Sequence, residues 1–272
     1  MKDRLTQKTV ISRDGTTIAY EQSGRGPAAV LIASALADRS DTRKLAGRLS
    51  ESFTIINYDR RGRGHSADAP DYTPEREVED LEALIDAVGE PVRLFGSSSG
   101  AVLALDAANA LHEKVVRLAL YEPPLITDAS RPPVSDALPE EISRLVGAGR
   151  KSEAVRLFFG GVMGMPPIGV TFMRLMPGWS KTVAMAHTAA YDLTILRGLQ
   201  SGAPLPAARW ASVTAPTLVM TGGKSEAFFH SGAKALTEVL PDGEHRVLPK
   251  QHHGSVAIAS SPIVQTLVNF WR

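Results

Sequence analysis

Short apolar runs and amphipathic stretches alternate along the first half of the chain. Ala28 to Ile32, Phe53 to Tyr58, Val92 to Phe95 and Val115 to Tyr121 have the length and apolar continuity of buried strands. Between them, Asp38 to Leu49 carries helical periodicity, and a second helix is predicted from Pro74 to about Val88. It opens on Thr73-Pro74-Glu75, with threonine at the cap, proline at the first helical position and acids in the first turn. Ahead of these, Thr9 to Ser12 and Thr16 to Glu21 predict a hairpin turned at Arg13-Asp14-Gly15. Such alternation implies an α/β fold, a mainly parallel sheet with helices on both faces. From about Leu125 to Ala211 the pattern lapses into prolines, methionines and helical pieces without a convincing strand. The reading is a helical cap, 125–211, inserted into a core domain made of 1–124 and 212–272. The alternation resumes with strand Thr217 to Met220, a helix through Ser231 to Leu240, strand His245 to Leu248 and a last helix from Ser261 to Trp271.

Composition narrows the chemistry. At 272 residues and 43% hydrophobic, the chain can bury one large core. Thirty basic and 29 acidic residues leave a net charge of +1, and no long run carries one sign. Neither nucleic acid nor an anionic membrane surface is therefore an expected partner, which leaves a small molecule. The absence of cysteine removes disulfides, thiolate metal sites and a cysteine nucleophile. Met1 to Lys8 is polar and no 18-residue apolar run occurs, so neither a signal peptide nor a spanning helix is expected, and the cytoplasm is the default location. No metal-ligand spacing and no Gly-rich dinucleotide loop is present, so no cofactor is expected. Oligomeric state is open, a homodimer included.

The most specific motif is Gly96-Ser97-Ser98-Ser99-Gly100, set between an apolar strand and the apolar helix that starts at Ala101. This context makes it a nucleophile elbow, a sharp turn that only small neighbours allow, with Ser98 as the nucleophile. Two further signatures follow the same order, Asp59-Arg60-Arg61-Gly62-Arg63-Gly64-His65-Ser66 after the fourth strand and Leu248-Pro249-Lys250-Gln251-His252-His253 before the last helix. Together they resemble the α/β-hydrolase superfamily over nearly the whole chain. The resemblance implies an eight-stranded sheet with its second strand antiparallel and a cap after the sixth strand.

A serine hydroxyl needs an imidazole to take its proton, and the imidazole needs a carboxylate to fix its tautomer. The resemblance places the base after the last strand, at His252 or His253, and the spacing to Phe270 favours His253. His65, His112, His230 and His245 read as local side chains, whereas His187 in the cap could line a pocket. Superfamily members commonly carry the acid in a Gly-x-x-Asp turn after the seventh strand. Here that turn reads Gly222-Gly223-Lys224-Ser225-Glu226, without aspartate. Glu122 closes the sixth strand, beside the strand that carries Ser98, and is the favoured acid, with Glu226 the alternative. An acid after strand six and the continuation Ser98-Ser99-Gly100-Ala101 resemble the zearalenone-lactonase group, which implies a substrate-side role for Trp179.

Donors for an oxyanion are expected from the backbone of Ser99 and from Ala35 or Leu36 in the loop after strand three. Arg60, Arg61 and Arg63 read as turn-shaping residues paired with carboxylates rather than a phosphate site. Leu36, Met163, Met165, Met173, Met176, Trp179, His187 and Tyr191 are candidate pocket residues, with core packing an equal reading for the methionines and aromatics. The expected activity is cofactor-independent hydrolysis of an ester or lactone of apolar character through an acyl-enzyme. A small-molecule receptor with little turnover, and a carbon-carbon bond hydrolase or acyl transferase using the same serine, are the alternatives.

Overall fold

In the computed structural model, which describes residues 6–175 and 177–272, eight strands form one sheet. They are β1 (Thr6–Ile11), β2 (Thr17–Ser23), β3 (Ala28–Ile32), β4 (Thr54–Tyr58), β5 (Val92–Ser97), β6 (Val115–Tyr121), β7 (Thr217–Gly222) and β8 (Gly243–Leu248), in the order β1-β2-β4-β3-β5-β6-β7-β8. β2 runs antiparallel to both of its neighbours, and from β4 onward every pairing is parallel. Every residue of β3 and β7 is buried, as strands covered on both faces must be.

Alternate side chains feed two cores. Val30, Ile32, Leu94, Leu118, Leu120 and Val219 face one side, packed beneath α2 (Pro74–Val88), α3 (Ser99–Leu111) and α9 (Ala227–Val239). Ala29, Leu31, Phe95, Ala119, Leu218 and Met220 face the other, beneath α1 (Arg39–Leu49) and α10 (Ser261–Trp271). The two-residue period of the strands is what lets one apolar run serve both layers.

Helix boundaries follow the caps with two departures. Asp38 caps α1 in a full capping box, accepting from the Ser40 amide at 2.7 Å while Asp41 accepts from the Asp38 amide at 3.2 Å. Thr73 stands at the cap of α2, yet its side chain makes no capping bond; Pro74 and the acids Glu75 and Glu77 set that start instead. α9 begins four residues before the predicted Ser231, because Phe228 and Phe229 are buried and extend its apolar face.

Between β6 and β7 lie α4 (Leu138–Gly147), α5 (Lys151–Gly161), α6 (Pro167–Met173), α7 (Trp179–Ala184) and α8 (Thr188–Ile195), with no strand among the described residues. Of these helices, α4, α5, α7 and α8 build a third apolar cluster of their own, which Leu36 from the loop after β3 joins. The two ends of the insertion are hydrogen-bonded to each other. The Ile126 amide donates to Leu199 at 3.0 Å, Gly202 to Ile126 at 2.9 Å and Val134 to Gln200 at 3.0 Å. No helix among the described residues is long and apolar enough to cross a membrane.

Candidate active site

The carboxyl ends of β3, β5, β6, β7 and β8 gather the candidate residues along one edge of the sheet, where open α/β sheets collect functional groups. Ser98 sits between β5 and α3 with φ 55° and ψ −126°. A Cβ on Gly96 would overlap the Gly100 carbonyl, and one on Gly100 would strike the backbone of Ile32 and Ala33. Both glycines are thus required by the closeness of strand and helix, and the turn projects Ser98 at the strand tip. Leu36 and Glu122 share the left-handed backbone, with φ of 53° and 49°. Strained non-glycine residues of this kind gather where geometry is held for function.

β5 and β6 pair up to Ser97 and Tyr121, so Glu122 emerges next to Ser98. Glu122 is fully buried. One carboxylate oxygen lies 2.7 Å from Nδ1 of His253; the other accepts from the Gly222 amide at 2.6 Å and from the Ser225 hydroxyl. Neither donor is among the residues that the sequence pattern picks out. Ser225 occupies the place of the aspartate in a Gly-x-x-Asp turn, and that register was the available signal. Glu226, by contrast, points outward, 65% exposed and 3.5 Å from Arg131. Burial leaves no room for a side chain at Gly222, where a Cβ would meet the Gln251 backbone.

Of the adjacent histidines, His253 is half-buried and faces Glu122. His252 is exposed, and its Nδ1 accepts from the Gly254 amide at 3.2 Å. The Tyr121 hydroxyl donates to the His252 carbonyl at 2.9 Å, and Phe229 stacks on the His253 ring with centroids 4.9 Å apart. Neither contact was anticipated. The stack bears on the imidazole plane, and the Tyr121 bond holds the backbone just before it.

Arg60, Arg61 and Arg63 are buried and paired, as the turn-shaping reading requires. Arg60 forks onto Glu77 at 2.7 Å through two nitrogens, and Arg61 onto Asp80 at 2.7 and 2.8 Å. Arg60 and Arg63 each also reach Asp192 of α8 at 2.8 Å. Burial alone would push the Glu77 and Asp192 carboxyls up, but the facing guanidiniums outweigh it and hold both below the ordinary carboxylate range. Gly64 has φ 55° and leaves the space that the Asp59 carboxylate fills, where it accepts from the His65 amide at 2.7 Å.

Two cavities meet at Ser98, His253 and Ala35. One, of about 230 Å³, runs between Ala33–Ala37 and the turn Gly254–Ala257, with Leu36 in its wall. The other, of about 70 Å³, is walled by Phe158, Val162, Met163, Leu196, Phe228 and Phe229, with Arg131, Gln200 and Glu226 as polar edges, and Ser99 lines it too. Trp179, Met173, His187 and Tyr191, expected in the pocket, are not among the lining residues. Trp179 packs on the helical cluster and Met173 is half-buried at the end of α6. Asp68 and Tyr72 capture the other two. Tyr191 stacks on Tyr72 at 3.8 Å and donates to Asp68 at 3.1 Å, while His187 Nε2 lies 3.4 Å from Asp68. Met165 lines a separate cleft between α4, α5 and α6, and Met176 lies outside the described residues. Among the described residues, no group of three or more acidic or histidine side chains is disposed to hold a metal.

The sequence profile of the Alpha/beta hydrolase family matches residues 28–262. An uncharacterised hydrolase, YraK, of Bacillus subtilis (strain 168) is 33% identical over 116 residues, 41% of this chain and 43% of that protein. A zearalenone hydrolase of Cladophialophora bantiana is 29% identical over 155 residues, 54% of this chain and 58% of that protein. The chain thus spans about half the length of the curated relatives it matches. The crystal structure of an alpha/beta hydrolase from Sphaerobacter thermophilus DSM 20745 superposes with a TM-score of 0.89 at 43% identity, covering 97% of this chain and all of that one.

Proposed function

Because the chain belongs to the alpha/beta hydrolase family, we propose that it is a serine hydrolase that cleaves a carboxylic ester or lactone, with Ser98, His253 and Glu122 as its triad. The observation that carries this reading is the 2.7 Å contact between Nδ1 of His253 and a fully buried Glu122, beside cavities that the histidine shares with Ser98. A carboxylate only accepts, so Nδ1 carries the proton and Nε2 is left with its lone pair. Nε2 takes the Ser98 proton as the hydroxyl oxygen adds to the carbonyl carbon. The tetrahedral oxyanion collapses, expelling the alcohol, which receives that proton from the imidazolium. Water activated by the same imidazole then releases the acid. For a lactone the alcohol stays tethered, and the product is one hydroxy acid.

The cavity of about 70 Å³ suits a short apolar group, and the wider one opens toward solvent. Residues 125–211 act in this reading as a cap that sets the shape of the apolar lobe through Phe158, Val162, Met163 and Leu196. The partial likeness to a zearalenone hydrolase favours including lactones among the substrates tried.

Intact-protein mass after exposure to a fluorophosphonate, with p-nitrophenyl ester turnover followed in parallel, tests the assignment. The expected result is one adduct on the wild type, and neither adduct nor turnover for Ser98→Ala. An unlabelled wild type would overturn the reading. An active protein whose Ser98→Ala variant still labels would move the nucleophile elsewhere.

A further inference from the structure

We propose that Asp192 is a positioning residue for both oxyanion donors, reaching one through Ser99 and the other through Arg63. The proposal rests on the serine-hydrolase reading above. Asp192 belongs to α8 of the insertion, is wholly buried, and bonds to both the start of α3 and Arg63, which holds the loop after β3.

On one side, the Ser99 hydroxyl donates to Asp192 Oδ1 at 2.8 Å. Ser99 follows the nucleophile and opens α3, so its amide is among the first-turn donors that a helix leaves without an internal acceptor. Tying the Ser99 side chain to a fixed carboxylate holds the residue that offers this amide.

On the other side, Asp192 Oδ2 accepts from Arg63 at 2.8 Å, and the same guanidinium donates through its other terminal nitrogen to the Ser34 carbonyl, also at 2.8 Å. The Ser34 carbonyl and the Ala35 amide belong to one planar trans peptide, so they point in opposite directions. Anchoring the carbonyl on Arg63 therefore turns the Ala35 N–H away from the ion cluster, and Ala35 lines both cavities that meet at Ser98. The same peptide geometry selects Ala35 over Leu36 as the second donor. Arg60 adds a longer contact, 3.3 Å to the Ala33 carbonyl, while its fork on Glu77 ties the cluster to α2.

An ion pair that merely pins the insertion to the sheet would raise stability and shape KM, leaving the transition state untouched. A device that aims two donors acts on the transition state, because those bonds strengthen as the oxyanion forms. Asp192→Asn and Ser99→Ala, with the wild type, are to be compared for kcat and KM on p-nitrophenyl butyrate, for melting temperature, and for inhibition by a trifluoromethyl ketone whose hemiketal oxyanion fills the hole. For Asp192→Asn the expected result is a fall in kcat of about tenfold or more with KM little changed. Affinity for the ketone should weaken by the same factor as kcat/KM. Ser99→Ala, which deletes one hydrogen bond and no charge, should shift both quantities the same way by less, and it decides the matter if Asp192→Asn does not fold. Folded variants with raised KM and unchanged kcat, or with unchanged ketone affinity, would overturn the proposal while a fluorophosphonate-labelled wild type keeps the hydrolase reading. An unlabelled wild type would remove both, since no oxyanion would then need holding.

Discussion

Glu122 carries a heavier structural load than a surface acid could. It is buried, its backbone is left-handed, and three donors converge on its two oxygens. Replacing it by glutamine keeps the volume but presents an amide N–H group to donors that need an acceptor, and His253 loses the charge that stabilises its imidazolium. Glu122→Gln should lower kcat by about four orders of magnitude, with fluorophosphonate labelling slowed in step. Ser225→Ala removes one of the three donors and should cost about tenfold or less in kcat, a gradation that stopped-flow or steady-state ester assays resolve. Of the candidate residues that the structure brings together, Ser98 stood out from its strand-turn-helix motif and Glu122 from its place at the end of a strand, whereas His253 rested on the family resemblance and its spacing to Phe270, with His252 left open. Ser225, Gly222 and Phe229 did not stand out. They meet Glu122 and His253 only because β6 and β7 lie side by side, an adjacency that local pattern does not encode.

At the scale of elements, the elbow is a matter of clearance. Gly100 lies in the first turn of α3 against the backbone of Ile32 and Ala33, where no flexible side chain can give way. Gly100→Ala should therefore push α3 away from β3 and the loop that follows it, with a lowered melting temperature and loss of labelling at Ser98. The central strands could be read from short continuous apolar runs, because they are buried on both faces, and the sheet-packing helices from periodicity, because each turns an apolar face to the sheet. The insertion resisted the same treatment. Many of its apolar residues serve one cluster, and some of them, such as Phe158, Val162 and Met163, also wall the cavity while others, such as Trp179 and Met185, do not, a distinction that spacing does not carry. His187 and Tyr191 were drawn from the cavity by Asp68 and Tyr72, residues of a loop that carries no periodic signal.

Over the whole molecule, acid sensitivity should be set by histidines that the fold keeps neutral. Burial, opposed by Asp68 and reinforced by Lys151 and Arg63, holds His187 below its ordinary value; burial and the neighbouring His230 do the same for His245. With both depressed in the folded state, the unfolded chain binds more protons at mildly acid pH, so stability rises with pH there. It should be lost as pH falls through the ordinary histidine value near 6.5 toward the lower folded values. Thermal melting between pH 7.5 and 5.5 checks this, using His187→Gln, whose melting temperature should fall less over that interval than that of the wild type.

The insertion leaves the sheet after β6 and returns before β7 through one doorway, closed by the paired backbones of Ile126, Val134, Leu199, Gln200 and Gly202. A segment that exits and re-enters at a single point costs the remainder of the chain little loop entropy, the condition under which a cassette can be exchanged. Here the cassette is wired. A replacement lacking a carboxylate in the place of Asp192 would leave the buried Arg63 without its ion-pair partner and Arg60 with Glu77 alone, a loss of about 3 kcal/mol or more for breaking a buried pair of this kind. In the proposed reading, substrate range is thus free to change with the five helices, on the condition that one acidic side chain travels with them.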